Sequence, residues 1–181
     1  MSQMIFRRYE YKYLLTRQQH RAMLDIMQEH MTLDQYGHST ISNLDYDTPS
    51  FTLIRASLEH PCYKEKLRLR TYGSDSSHAF LELKKKFDGI VYKRRIALPL
   101  QEALDCMEGT IPFPDCQIGH ELHAARKHYP GLYPAVFLSY EREAYYDRDG
   151  SDFRVTFDEN IRCRWNPHTI AHPERGIPVL P

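Results

Sequence analysis

The chain has 181 residues, 41% hydrophobic and 27% charged with no net charge, which suits one soluble domain spanning residues 1–181. It has no apolar run near the length of a membrane span, and its start, MSQMIFRRYEYKYLL, lacks the order of a secretory signal, so a cytoplasmic protein is expected. Cys62, Cys106, Cys116 and Cys163 are scattered without a CxxC pair, which argues against a zinc site or a disulfide frame.

Residues 5–15 read as a strand leading into a helix. Thr16 is the expected N-cap, and Met23, Ile26, Met27 and His30 within Arg17–Met31 recur at helical spacing. TISNLDYDTPS reads as a strand ending in a turn at Asp47-Thr48-Pro49, followed by a short helical or irregular stretch over Phe51–Leu58. YKEKLRLRTYG is a strand stopped by Gly73. AFLELKKKF and IVYKRRIALPL form a hairpin about Asp88-Gly89. Helices are predicted over Leu100–Glu108, stopped by Gly109, and over roughly Asp115–His128, stopped by Pro130-Gly131. VFLSYEREAYY and FRVTFDENIRCR make a second hairpin about Asp149-Gly150, and from Trp165 four prolines interrupt a tail without periodicity. Many antiparallel strands with a few packed helices define an α+β class.

Zero net charge hides a local excess. Between Tyr63 and Arg95, ten Lys and Arg face four acids, leaving +6. Strand side chains alternate between two faces, and that alternation places Lys64, Lys66, Arg68 and Arg70 together, opposite Tyr63, Glu65, Leu67 and Leu69. Glu82, Lys84 and Lys86 share a face, as do Arg8, Glu10 and Lys12 opposite Tyr9, Tyr11 and Tyr13. Tyr140 pairs with Arg142, and Arg154 with Thr156 and Asp158. A solvated sheet face carries charges too, but it mixes signs, because like charges on neighbouring strands repel. Four cations in a row on one strand are relieved by a polyanion, and a barrel closed with this face inside would surround a linear phosphate chain.

RYEYKYLL, NLDYDTPS, YKEKLRLRTYG, FLELKKKFDGIVYKRRIALPL, YEREAYY and FRVTFDENIR, in this order from about Phe6 to Arg164, closely resemble the VTC domain of polyphosphate polymerases, a member of the triphosphate tunnel metalloenzyme superfamily. The resemblance implies an antiparallel β-barrel forming a tunnel, with helices packed outside. It implies tunnel Lys and Arg that bind nucleoside triphosphate or polyphosphate, with Mn²⁺ or Mg²⁺ on the phosphates. Carried over by position, Lys12, Arg68, Arg70, Lys84, Arg142 and Arg154 look like the phosphate-binding residues. Arg8, Lys64, Lys66 and Lys86 share their faces as secondary candidates. The family's later metal-binding glutamate strand has no counterpart before Pro181, so the barrel is expected to be incomplete at its C-terminus. That leaves Glu10 and Glu82 as candidate metal ligands, or as carboxylates that orient nearby cations.

The implied reaction moves the γ-phosphate of a nucleoside triphosphate onto a polyphosphate chain. Alternatives are a triphosphatase of the same superfamily and a non-catalytic polyphosphate-binding module. Nucleic acid is not the expected partner, and any membrane association would come through a partner chain. His120-Glu121-Leu122-His123 sets its histidines three apart, not the four of a zinc-protease helix, and reads as helix surface. Lys93-Arg94-Arg95 reads as a strand end flanking the tunnel.

Overall fold

The computed structural model describes residues 10–59, 61–73, 77–88, 90–165, 167 and 169–180. Helix α1 (Arg17–His30) opens with a reciprocal cap: Thr16 Oγ1 accepts from the Gln19 amide at 3.2 Å, and Gln19 Oε1 accepts from the Thr16 amide at 2.9 Å. Chain reversal follows at once through strand β1 (Met31–Leu33), which sequence alone does not suggest because three residues carry no period.

Strand β2 (Ser39–Asp47) ends at a carboxylate that organises what comes next. Asp47 Oδ1 accepts from the amides of Thr48 (2.7 Å) and Leu53 (2.9 Å), and Oδ2 from that of Ile54 (3.0 Å). The bonds to Leu53 and Ile54 satisfy two of the free N–H groups that begin helix α2 (Thr52–Leu58). Strands β3 (Tyr63–Tyr72), β4 (His78–Phe87) and β5 (Ile90–Pro99) then form a meander. Helix α3 (Leu100–Glu108) stops at Gly109, whose φ of +86° suits glycine. Helix α4 (Gln117–His128) begins against Pro114 so closely that a Cβ on Gly119 would lie 1.9 Å from the Pro114 carbonyl oxygen. Strands β6 (Tyr133–Asp147) and β7 (Arg154–Trp165) form the second hairpin, and β8 (Ile177–Pro178) adds a short edge.

All pairings are antiparallel, in the order β5-β4-β3-β2-β6-β7-β8, with β1 also on β6. Among the described residues the sheet is not closed. One face is apolar, and Leu44, Leu67, Leu69, Leu81, Leu83 and Phe137 pack there with Ala103, Cys106 and Met107 of α3 and Leu122 of α4. Farther along β6 and β7 the same face meets α1 through Met27, Met31 and Phe157. Asn160, at φ +52°, carries the extra residue that shifts the β6–β7 register between Ser139 and Glu141.

Two expectations are corrected. The described part of the first expected strand, Glu10–Leu15, is not in a strand, and Arg8 lies outside the described residues. Tyr11 and Tyr13 are each 77% exposed, and the two-faced alternation expected of this segment has no meaning where no neighbouring strand fixes the pleat. The helix expected from Asp115 begins at Gln117, with Cys116 as its cap, because the Cys116 sulfur accepts from the Gly119 amide at 3.4 Å.

Candidate functional site

Register decides which charges meet. On the face away from the core, Lys66 stands opposite Lys84, and Lys84 opposite Lys93, giving a row of three lysines on β3, β4 and β5. One step along, about 7 Å away by strand geometry, Arg68 lies between Asp45 and Glu82, and Glu82 faces Arg95. Beyond them Arg70 lies between Asn43 and Phe80. In the opposite direction Lys64 faces Lys86. Like charges opposed across strands are destabilising. Among the described residues, neither Lys66 nor Lys86 has a carboxylate within 4.0 Å.

The middle of this face is wired around one carboxylate. Glu82 is 2% exposed. Arg68 Nε donates to its Oε2 at 2.7 Å, Lys93 Nζ lies 3.0 Å from Oε1, and Arg70 Nη1 lies 3.9 Å from Oε2. Burial alone would raise the Glu82 pKa, but the pull of Arg68, Arg70 and Lys93 overrides it and holds the group at about 2. Arg70, 5% exposed, is fixed further: its Nε donates to Asn43 Oδ1 at 2.7 Å and its Nη2 to the Tyr140 hydroxyl at 3.2 Å. Burial pushes the Lys84 and Lys93 pKa values down, opposed by Glu10 and Glu82 respectively. Asp45 is half-buried on the same face with no carboxylate–cation contact within 4.0 Å among the described residues. Burial raises its pKa against the opposing pull of Arg68, Lys66 and Arg70.

The remaining expected residues fall into three groups. Arg142 reaches the cluster through Tyr140, whose ring its guanidinium overlies at 5.0 Å, and it is held by Asp158 in a two-pronged bridge of 2.6 and 2.7 Å. Arg154 stands apart, over the Tyr146 ring at 4.8 Å and 4.0 Å from Asp34. Lys64 turns its ammonium to the Ser57 carbonyl at the end of α2, 3.1 Å away. The segment before α1 comes back to the charged face: Glu10 lies 3.4 Å from Lys12 and 3.8 Å from Lys84, though Lys12 itself is 83% exposed.

Lys93 is the cation that sequence reading undervalued. Phe87 stands opposite Ile90, and counting back along the two strands from that pair sets Lys93 against Lys84. Arg94, between Lys93 and Arg95 in sequence, points the other way, 3.4 Å from Glu121 of α4. The basic triplet is therefore split between two faces and is not one patch.

Glu10 and Glu82 do not fit a divalent cation by themselves. Each is already matched by lysine or arginine, and among the described residues no three His, Cys, Asp or Glu converge as a metal cluster. The arrangement instead suits a multiply charged, linear anion: stacked rows of cations, with guanidinium groups braced from behind.

The chain thus carries helices on one face of an open antiparallel sheet and ranked cations on the other. The VTC domain family matches residues 7–179, and the chain belongs to that family. Among solved structures it is similar to a Bacillus halodurans protein named as a candidate adenylate cyclase, with a TM-score of 0.51 and 18% identity over 80% of this chain and 76% of that one. That likeness shows the fold. A Hippeastrum protein, a candidate adenylyl cyclase with a dominant triphosphatase activity, aligns with a TM-score of 0.47 and 12% identity over 80% of this chain and 74% of its own. No curated protein matches by sequence.

Proposed function

We propose that the chain is a phosphotransferase of the polyphosphate-polymerase kind, moving the γ-phosphate of a nucleoside triphosphate onto a polyphosphate chain. The observation that carries this reading is the row Lys66–Lys84–Lys93 beside Arg68 and Arg70, where the protein holds more cations than its own carboxylates balance. Lys12, Arg68, Arg70, Lys84 and Arg142 hold phosphate oxygens in this reading, joined by Lys93, with Arg154 farther along the path. Lys66 and Lys86 extend the path, Arg8 lies outside the described residues, and Lys64 serves it less, since its ammonium is taken by Ser57. The cations align the γ-phosphorus for in-line attack and spread the charge of the transition state. The attacking terminal phosphate is already an anion, so transfer needs no general base. Mn²⁺ or Mg²⁺ is expected from the family resemblance, but the two candidate carboxylates are already matched by cations, and no step here is routed through a metal.

One observation favours hydrolysis as a second reading. Asp45 stands beside Arg68 without an ion-pair partner among the described residues, placed to accept a proton from water. Incubation with γ-labelled ATP and Mn²⁺, resolved on a gel, separates the two. A ladder of labelled polyphosphate supports transfer, and orthophosphate alone supports a triphosphatase. Binding of polyphosphate with neither product leaves a binding module.

A further inference from the structure

We propose that Glu82 is a positioning residue, the internal counter-charge that holds three phosphate-facing cations in register, and not a metal ligand. The inference rests on the phosphate-binding reading above. Its basis is a carboxylate 2% exposed that touches side chains from β3 and β5 while itself standing on β4. A buried charge survives only when matched, and here the match is made by groups that also face the open side of the sheet. Side-chain exposure rises from 5% at Arg70 to 29% at Arg68 and 32% at Lys93. Glu82 grips the inner edge of these groups.

The geometry at Arg68 is specific. Glu82 takes the Nε–H, which leaves the two terminal Nη groups for an incoming anion. Arg70 is braced at the same atom, its Nε–H donating to Asn43, but its Nη1 and Nη2 are directed by the Tyr72 and Tyr140 hydroxyls. Two arginines two residues apart on one strand are thus braced at the same atom, and a guanidinium braced there presents its fork in a fixed direction. Preorganised forks discriminate by shape, because a ligand with the wrong oxygen spacing gains the charge attraction but not the paired hydrogen bonds.

This yields a test that net charge cannot imitate. Removing Glu82's charge makes the site more positive, so attraction alone predicts tighter binding of every phosphate. Loss of positioning predicts loss of shape preference. Linear tripolyphosphate and cyclic trimetaphosphate are titrated by calorimetry into the wild type, Glu82→Gln and Glu82→Asp, in EDTA and again with Mn²⁺. Circular dichroism confirms that each variant is folded, and Glu82→Asp, which keeps the charge but withdraws it by one methylene, serves if Glu82→Gln does not fold. The expected result is a wild-type preference for the linear anion that falls tenfold or more in the variants, equally with and without the metal. An unchanged preference in a folded variant overturns the proposal, as does a defect seen only with Mn²⁺, the mark of a metal ligand. A wild type that binds neither anion overturns the phosphate-binding reading itself and this inference with it.

Discussion

Glu82 is the side chain on which the charged face depends, and its ionisation gives the molecule a specific acid sensitivity. Its folded pKa, about 2, lies below the ordinary carboxylate range, so its contribution to stability is complete above that range and is lost as pH falls from about 4.5 toward 2. Thermal unfolding followed across this window is expected to show the wild type losing stability more steeply than Glu82→Gln, which has nothing to protonate there. Parallel curves would contradict the assignment. At neutral pH, Glu82→Ala, which strands three cations, is expected to cost about 3–5 kcal/mol by denaturant titration. The candidate cations Arg68, Arg70 and Lys84, and the face of Tyr140, were legible from alternation alone, whereas the parts of Asn43 and Lys93 were not. Their partners come from other strands, and only register brings those together.

At the scale of elements, the meander β3-β4-β5 was readable because its strands alternate cleanly and its turn is signalled by Asp88-Gly89. Gly109 and Thr16 likewise marked helix ends that the structure keeps. The tail was opaque for a physical reason: much of its order comes from side-chain bonds to its carbonyls and not from any period. Arg164 on β7 donates to the carbonyls of Thr169 (3.1 Å), Ala171 (2.8 Å), His172 (2.6 Å) and Arg175 (3.0 Å), and its guanidinium lies 3.8 Å over the Phe137 ring. Ser139 adds a bond to the Pro173 carbonyl at 2.6 Å. A lysine has three donors on a point charge and cannot reproduce a planar fork serving four carbonyls. Hydrogen exchange over 169–178 is therefore expected to rise about tenfold or more in both Arg164→Ala and Arg164→Lys, while β3 and β4 stay protected. Protection retained in Arg164→Lys would show that charge alone orders the tail.

Over the whole molecule, the sheet divides the work: one face supplies the core that α3 and α4 cover, and the other displays charge. Leu69, fully buried between cationic neighbours in sequence, ties the two together, since the pleat that buries it turns Arg68 and Arg70 outward. Leu69→Ala is expected to cost about 2–5 kcal/mol in chemical denaturation. While the protein remains folded its phosphate affinity should change little, and a parallel loss of affinity would mean that core and charged face are not separable. No helix among the described residues is long and apolar enough to cross a membrane. The fold class, the family and the cationic face were all visible in the sequence. That Glu10–Leu15 lie outside any strand, and which cations Glu82 touches, were not, because both depend on which neighbours the chain finds after folding.

The central claim is that the rows around Lys66, Lys84, Lys93, Arg68 and Arg70 hold a linear phosphate chain. The most direct measurement is the affinity of fluorescently labelled polyphosphate across a salt series, for the wild type and for Arg68→Ala and Lys84→Ala. Tight binding that weakens steeply with salt, and falls at least tenfold in each folded variant with a shallower salt slope, is the predicted result. Equal affinity and equal slope in all three proteins would show that the polyanion binds elsewhere and would contradict the account.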